Sequence, residues 1–374
     1  MGVRYFASRP SLILQASNPD LFVPAVELKI KGTTVPSGLA QRRDISIDDF
    51  EQMRVIGRGG FSRVILARKK DTGRLYAIKI LRKDRLINEN QIKPILSERR
   101  VLEKLDHPFV IKLHWAFQSE RELFFVMDIC TGGELFFHLL QQRRFSEKLA
   151  KFYMCEILLG FQYMHERNIV YRDIKPENIL VDMDGHIRVA DFGLSKIIPE
   201  KSRSYSFCGS PEYLSPEMLQ NGEGHDRRLD IYCLGVLLYE MLTGLPPFFD
   251  DDHQLMFEKI MYSDLILDQP FLSREVKDLL ANMLEKEPIN RFQSISEIME
   301  HAWFDDIDWS QVTSKSMKPP LVPDINSCYF EQDNGEEGEE DNIGSSFYKP
   351  TSSGNLNKST THQRRQSYYI HSTV

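Results

Sequence analysis

Cysteine is scarce, at five residues in 374: Cys130, Cys155, Cys208, Cys233 and Cys328. Their number is odd and their spacing is neither paired nor metal-like. That excludes a disulfide framework and a zinc-type site, and fits reduced thiols in the cytosol or nucleus, there being no signal peptide. Long apolar runs are also missing. The best, Ile231 to Tyr239, stops at Glu240, well short of the ~20 residues a transmembrane segment needs. A basic excess is lacking too: the net charge is −7, and the seven acidic residues between Glu331 and Asp341 account for it. Acidity is therefore a property of one segment, and nothing points to nucleic acid as a partner. The start Met1-Gly2 suggests an acylated glycine, but the motif wants Ser or Thr where Phe6 stands. No internal repeat is visible.

What remains is the composition of a folded protein, 41% hydrophobic and 27% charged, long enough for two lobes plus extensions. Residues 1–43 are too short for a core of their own. They read as an extension that packs on the rest or is disordered, with strand-like alternation in Val26 to Lys31. From Phe50 to Met127 the pattern is short strands: Phe50 to Gly57, Val64 to Arg68, Leu75 to Leu81, Ile111 to Gln118 and Leu123 to Met127. One helix interrupts them, from Pro94 to Leu105, with proline in its first turn. Beyond Gly132-Gly133 the periodicity is helical, near 134–142, 147–166, 227–243, 252–261, 273–284 and 294–301. The fold class expected is α+β, a small β-rich lobe and a large helical lobe with a ligand cleft between them. After Phe304 helical periodicity fades. Pro319 to Pro323 reads as an extended tether, and the acidic run and Ser345 to Thr361 read as disordered.

An ordered set of short motifs runs through these lobes. Gly57-Arg58-Gly59-Gly60-Phe61-Ser62-Arg63-Val64 comes first, and Lys79, in Ala77-Ile78-Lys79, lies 22 residues after Gly57. Glu98 follows in a charged helical stretch. Then come Tyr171-Arg172-Asp173-Ile174-Lys175-Pro176-Glu177-Asn178, Asp191-Phe192-Gly193 and Ser215-Pro216-Glu217. Glycines let a backbone close over phosphates with no Cβ in the way. A lysine in mid-strand needs a partner to be half buried, and Glu98 is the candidate. Oxygen ligands with room for phosphate oxygens and water suit Mg²⁺. Phosphoryl transfer needs positioning and charge neutralisation more than covalent help.

In this order the motifs resemble those of a eukaryotic-type protein kinase over residues 50–304, followed by a tail over 305–374. The resemblance implies ATP and Mg²⁺, with Asp173 as base, Lys175 reaching the transferred phosphate and Lys79 on the α/β-phosphates. Asn178 and Asp191 are the implied metal ligands. The implied nucleotide site comprises Ile56, Gly57, Gly59, Val64, Ala77, Lys79, Glu98, Asp128, Cys130, Glu134 and Leu180. Ser62 stands where a third glycine is usual, which stiffens the loop. Lys175 points to serine/threonine substrates, and Arg291 matches the arginine that pairs with the Glu217 position.

Tyr171, the run Ser206-Phe207-Cys208-Gly209-Ser210-Pro211-Glu212-Tyr213-Leu214 and the run Met127 to Leu135 resemble the AGC group, notably protein kinase B and ribosomal S-six kinases. Glu134, Glu177 and Glu240 match positions that accept arginines upstream of the phosphoacceptor, so basic protein substrates are implied. Glu134 alternatively binds only ribose, and Glu240 is alternatively a solvated helix residue. Ser206 matches the activating phosphorylation site, implying an upstream kinase, with Arg172 and Lys196 converging on it. Pro94 replaces a basic helix residue that several members use on that phosphate. Tyr329-Phe330-Glu331 resembles the start of the AGC tail, whose later hydrophobic motif is not recognisable. Arg364-Arg365-Gln366-Ser367 reads as a substrate of such a kinase. A nucleotide-binding pseudokinase is the alternative, which the intact Lys79, Glu98, Asp173, Asn178 and Asp191 disfavour.

Overall fold

A computed structural model describes residues 26–27, 45–59, 62–88, 91–220 and 224–324. Alternating apolar residues build the small lobe as an antiparallel sheet. Its strands are β1 (Val26–Glu27), β2 (Phe50–Arg58), β3 (Ser62–Lys69), β4 (Leu75–Arg82), β5 (Leu113–Gln118) and β6 (Glu122–Met127). They lie in the order β1-β5-β6-β4-β3-β2. β1 is the described part of the strand-like N-terminal stretch and pairs Val26 with Ala116 and Glu27 with Trp115. In β4, Ile78 and Ile80 point into a core shared with Phe50, Phe117 and Val126. Successive side chains in a strand alternate faces, so Ala77 and Lys79 turn to the other side.

Helices α1 (Lys83–Asn88) and α2 (Ile92–Leu102) follow β4. The sequence showed no sign of α1. α2 begins before the expected Pro94, which occupies its third position, where a backbone N–H would also lack a helical partner.

The large lobe is helical, with α3 (Leu135–Gln142), α4 (Glu147–His165), α5 (Pro216–Leu219), α6 (Arg228–Thr243), α7 (His253–Tyr262), α8 (Arg274–Met283), α9 (Ile295–Met299) and α10 (Trp309–Thr313). Side chains of Ser146, Asp252, Ser273 and Ser294 cap the N-termini of α4, α7, α8 and α9, satisfying otherwise orphaned amides. α6 is mostly apolar and is buried on all sides through the lobe centre, including its acids Asp230 and Glu240. Among the described residues no helix is long and apolar enough to cross a membrane.

Two short hairpin-like pairs sit between α4 and α5: β7 (Ile169–Val170) with β10 (Lys196–Ile197), and β8 (Ile179–Val181) with β9 (Ile187–Val189). α10 was not expected, because helical periodicity fades after Phe304; Asp308 caps it and Val312 anchors it in the core. The tether from Pro319 to Pro323 lies against the large lobe. A Cβ on Gly132 would come within 2.6 Å of Pro323 and 2.8 Å of Val181 O, so only glycine fits this approach. Residues 1–25, 28–44 and 325–374 lie outside the described residues. So do the Tyr329-Phe330-Glu331 motif, Cys328, the acidic run and Ser367.

Candidate active site

The cleft between the lobes gathers most of the residues singled out from sequence. From above come β2 and β3, joined by a turn in which Gly59 N donates to Ser62 O at 2.7 Å. Gly57 pairs with Val64, and Val64 with Lys79, so the strand lysine lies in register with the glycine loop, two strands across the same sheet. Lys79 Nζ meets Glu98 Oε1 of α2 at 2.7 Å, with Glu98 only 2% exposed. Burial works against the lysine's charge, but Glu98 and Asp191 outweigh it and raise its pKa. The ammonium is thus kept charged where phosphate oxygens would arrive.

Ile56, Val64 and Leu180 are half-buried and Ala77 is buried, as expected of an apolar slot. Two of the nucleotide-site residues behave differently. The Asp128 carboxylate turns away from the cleft, 2.7 Å from His114 Nε2 and 3.1 Å from Arg188 Nη1. The Cys130 thiol is packed in the large core. Glu134 is half-buried and precedes α3, where its backbone bridges to Leu180.

From below come the loop from Tyr171 to Asn178 and the Asp191 turn. Asp173, 9% exposed, is gripped on both oxygens. Lys175 Nζ lies 3.3 Å from Oδ2, Asn178 Nδ2 donates to Oδ2 at 3.0 Å, and Ser210 donates to Oδ1 at 3.1 Å. Lys175 also donates to Ser210 Oγ at 3.1 Å. Burial raises the Asp173 pKa, and Asp191 adds to that, against the pull of Lys175 and Asn178. A carboxylate with raised proton affinity is what a general base requires. Asp191 has an exposed face; the desolvation it does suffer raises its pKa but is outweighed by Lys79, the Gly193 amide and Lys175, so its pKa is lowered. It stays anionic. Two neighbouring carboxylates are thereby driven towards different protonation behaviour.

Asn178 and Asp191 are tied together through backbone: Ala190 N donates to Asn178 O at 2.8 Å. The Asn178 amide nitrogen is committed to Asp173, which leaves its oxygen as the group suited to a hard cation. The pair therefore fits Mg²⁺ as a partial ligand set completed by phosphate oxygens and water.

Holding this loop costs backbone strain. Arg172 has φ 72° and Asp191 φ 52°, in the region where side-chain-bearing residues are rare. The strain is held by Asp230 of α6, which is fully buried. Its oxygens accept from Tyr171 N and Arg172 N, each at 2.9 Å, and meet His165 Nε2 at 2.8 Å. Sequence reading missed Asp230 and the bracing role of Ser210. The available signal was an acid inside the apolar run of α6. Gly209 sits beside Ser210 with φ +114°, and a Cβ there would lie 3.1 Å from Arg172 O. Tyr171 packs edge-on against Phe192 at 5.3 Å and donates to Ala190 O, fixing the Asp191 turn.

Around the chemistry, Arg291 and Glu217 form the expected pair, two parallel bonds of 2.9 and 3.1 Å in the buried interior. Glu177 is half-buried. Glu240 is neither a rim carboxylate nor solvated: it is fully buried and accepts from Tyr213 Oη. Arg172 Nη1 donates to Ser206 Oγ at 2.6 Å, as expected, whereas Lys196 Nζ reaches the neighbouring Ser204 Oγ at 3.1 Å.

The family model described as the protein kinase domain matches residues 50–304. The chain is 40% identical over 308 residues to the RAC family serine/threonine-protein kinase homolog of Dictyostelium discoideum, covering 82% of this chain and 68% of that one. It is 44% identical over 282 residues to Protein kinase 2 of the same organism, covering 75% and 58%. With human RAC-beta serine/threonine-protein kinase it is 43% identical over 291 residues, covering 76% and 60%. The chain thus spans about 60% of the length of these relatives. With a bilobal fold, a lysine–glutamate pair over the cleft and a matching domain model, the chain belongs to the protein kinase family, among the serine/threonine kinases of the AGC group.

Proposed function

We propose that the chain transfers the γ-phosphate of ATP to serine or threonine in proteins carrying basic residues upstream of the acceptor. The observation that carries this is the bracing of Asp173 by Lys175, Asn178 and Ser210 directly beside an ionised Asp191. Mg²⁺ held by Asn178 and Asp191 would neutralise phosphate charge. Lys79 orients the α/β-phosphates and Lys175 the transferred group. Asp173 takes the hydroxyl proton as the new O–P bond forms and the bond to ADP breaks. Adenine fits the slot of Ile56, Val64, Ala77 and Leu180, with the main chain at Asp128 and Cys130 at its edge.

Substrate arginines would meet Glu134 and Glu177, both half-buried at the cleft. Glu240 contributes its charge from beneath, through Tyr213. Phosphorylation of Ser206 by an upstream kinase would raise activity by tying Arg172, next to the base, to the activation segment. Transfer of label from ATP to an Arg-Arg-x-Ser peptide, with and without Mg²⁺, tests the reading. Label on the peptide only with Mg²⁺ is expected. Nucleotide binding without transfer would instead make the chain a pseudokinase.

A further inference from the structure

Ser204 and His225 form an isolated antiparallel pair. Ser204 N donates to His225 O at 2.9 Å, and His225 N donates to Ser204 O at 2.8 Å. Residues directly opposite one another in such a pair carry their side chains on one face. On that face the Ser204 hydroxyl meets Lys196 Nζ at 3.1 Å, Arg172 Nη1 at 3.4 Å and Ser206 Oγ at 3.1 Å. His225 is only 4% exposed, and its Nε2 has no hydrogen-bond partner among the described residues.

The charges on this face do not balance. Arg172 is 9% exposed, yet among the described residues neither it nor Lys196 forms a salt bridge with a carboxylate. Their partners are hydroxyls and the Leu194 carbonyl. Buried cations are ordinarily paired with anions, and a buried nitrogen without a partner is costly. The Ser204 hydroxyl is thus held by the buried Arg172 and the exposed Lys196, neither side chain in contact with a carboxylate among the described residues, while the His225 ring with its idle nitrogen stands across the pair.

We propose that His225 is the third cationic contact for a phosphoryl group carried by Ser206, neutral before that group arrives and protonated afterwards. The proposal rests on the reading that Ser206 is the phosphorylated position. Without phosphate, burial first and then Arg172 hold the His225 pKa below its ordinary value. Lys196 acts in the same sense, while Asp230 and Glu217 pull the other way. A phosphate of nearly two negative charges reverses the sign of the local field and draws a proton from solvent onto the imidazole. The pKa is then higher in the phosphorylated state. The stabilisation this adds is complete at low pH and is lost as pH rises through the raised value.

The test uses full-length protein with phosphoserine installed at position 206 during synthesis, beside the unmodified protein, both with ¹⁵N-labelled histidine. The His225 titration midpoint is expected to rise by at least about one pH unit on phosphorylation, a tenfold gain in proton affinity. An unchanged midpoint overturns the proposal, and this measurement needs no substitution that could unfold the chain. In parallel, His225→Gln should lower the activation produced by phosphoserine about threefold or more near neutral pH and leave unphosphorylated activity within about twofold. Equal activation in His225→Gln and wild type also overturns it. If phosphoserine at 206 gives no activation at all, the Ser206 reading fails instead, and the midpoint still decides whether His225 contacts the phosphate.

Discussion

The proposed catalytic centre and the proposed activation face, joined by the single residue step from Arg172 to Asp173, are charged in opposite ways. In the centre each lysine already has its carboxylate: Lys79 with Glu98 at 2.7 Å and Lys175 with Asp173 at 3.3 Å. On the activation face the side chains of Arg172 and Lys196 bond, among the described residues, to serine hydroxyls and a carbonyl and to no carboxylate. A site whose charges are balanced in advance pays little reorganisation when substrate arrives, which is the basis of electrostatic preorganisation. A face whose positive charge lacks an anion is built to respond when one is added. Tyr205 and Phe207, flanking Ser206, are 73% and 64% exposed, so the serine between them is open to an incoming enzyme.

The hardest test of this contrast is in the centre. Lys79→Met, Asp173→Asn and Asp191→Ala should each lower the rate of transfer by about 10²-fold or more, with thermal unfolding temperatures close to wild type. Near-normal turnover in any of them would remove that residue from the mechanism. Because the Asp173 pKa is raised, the base form is lost as pH falls through that value. The acid limb of kcat should therefore lie above the ordinary carboxylate range, and a limb at or below it would mean that another group limits the rate.

On the activation face the effect should be smaller. Ser206→Ala should cost about tenfold in activity, the worth of roughly one charge-assisted hydrogen bond, in enzyme isolated in its active form. Full activity of that variant, or mass spectra of active enzyme without phosphate on Ser206, would erase the functional difference between the two regions. At the substrate rim, Glu134→Ala and Glu177→Ala should each reduce the preference for an upstream arginine several-fold. The readout is kcat/KM for paired peptides with and without each arginine. A profile favouring acidic or proline-directed peptides would show that the carboxylates serve another purpose.

The smallest effect is expected from the tail. Arg364-Arg365-Gln366-Ser367 fits the same rim, so truncation after Asn357 should lower KM for a basic peptide about twofold to threefold by removing a tethered competitor. Identical constants in full-length protein, truncated protein and Ser367→Ala, with no phosphate on Ser367 after incubation with ATP, would show that the tail never enters the cleft.

Much of this was legible in the chain because it is local. A strand declares itself by alternation within a few residues, and Ile78 and Ile80 against Ala77 and Lys79 suffice to place β4 and aim its lysine. Asp173, Lys175 and Asn178 are carried by one short loop, so their spacing alone keeps them together. Glu98 was a candidate partner for Lys79 because it lies in a charged helical stretch between the strand lysine and the later motifs of the kinase-like set. Short elements were less legible. β7 to β10, α1 and α10 are too brief for a periodicity to stand out, and packing against the lobes stabilises them more than propensity does.

What the linear order could not supply is which distant groups meet. Asp230 holds Tyr171 and Arg172 from α6, 58 or more residues away, and Ser210 reaches back 37 residues to Asp173. Asp128 was expected at the nucleotide but turns to His114 and Arg188, because charges across the sheet and hairpin outcompete an open cleft. Glu240 reads as a surface acid in sequence, yet the burial of all of α6 takes it inward to Tyr213. His225 and Ser204 become neighbours only when the activation segment folds onto the turn before α6. The sequence by itself determined the family and the two lobes, and it supplied the residues proposed for transfer, since these depend on residue type and short spacing. Only the tertiary structure decided which charges are already paired and which still await a partner, because burial and Coulomb attraction depend on distances that the chain sets by folding.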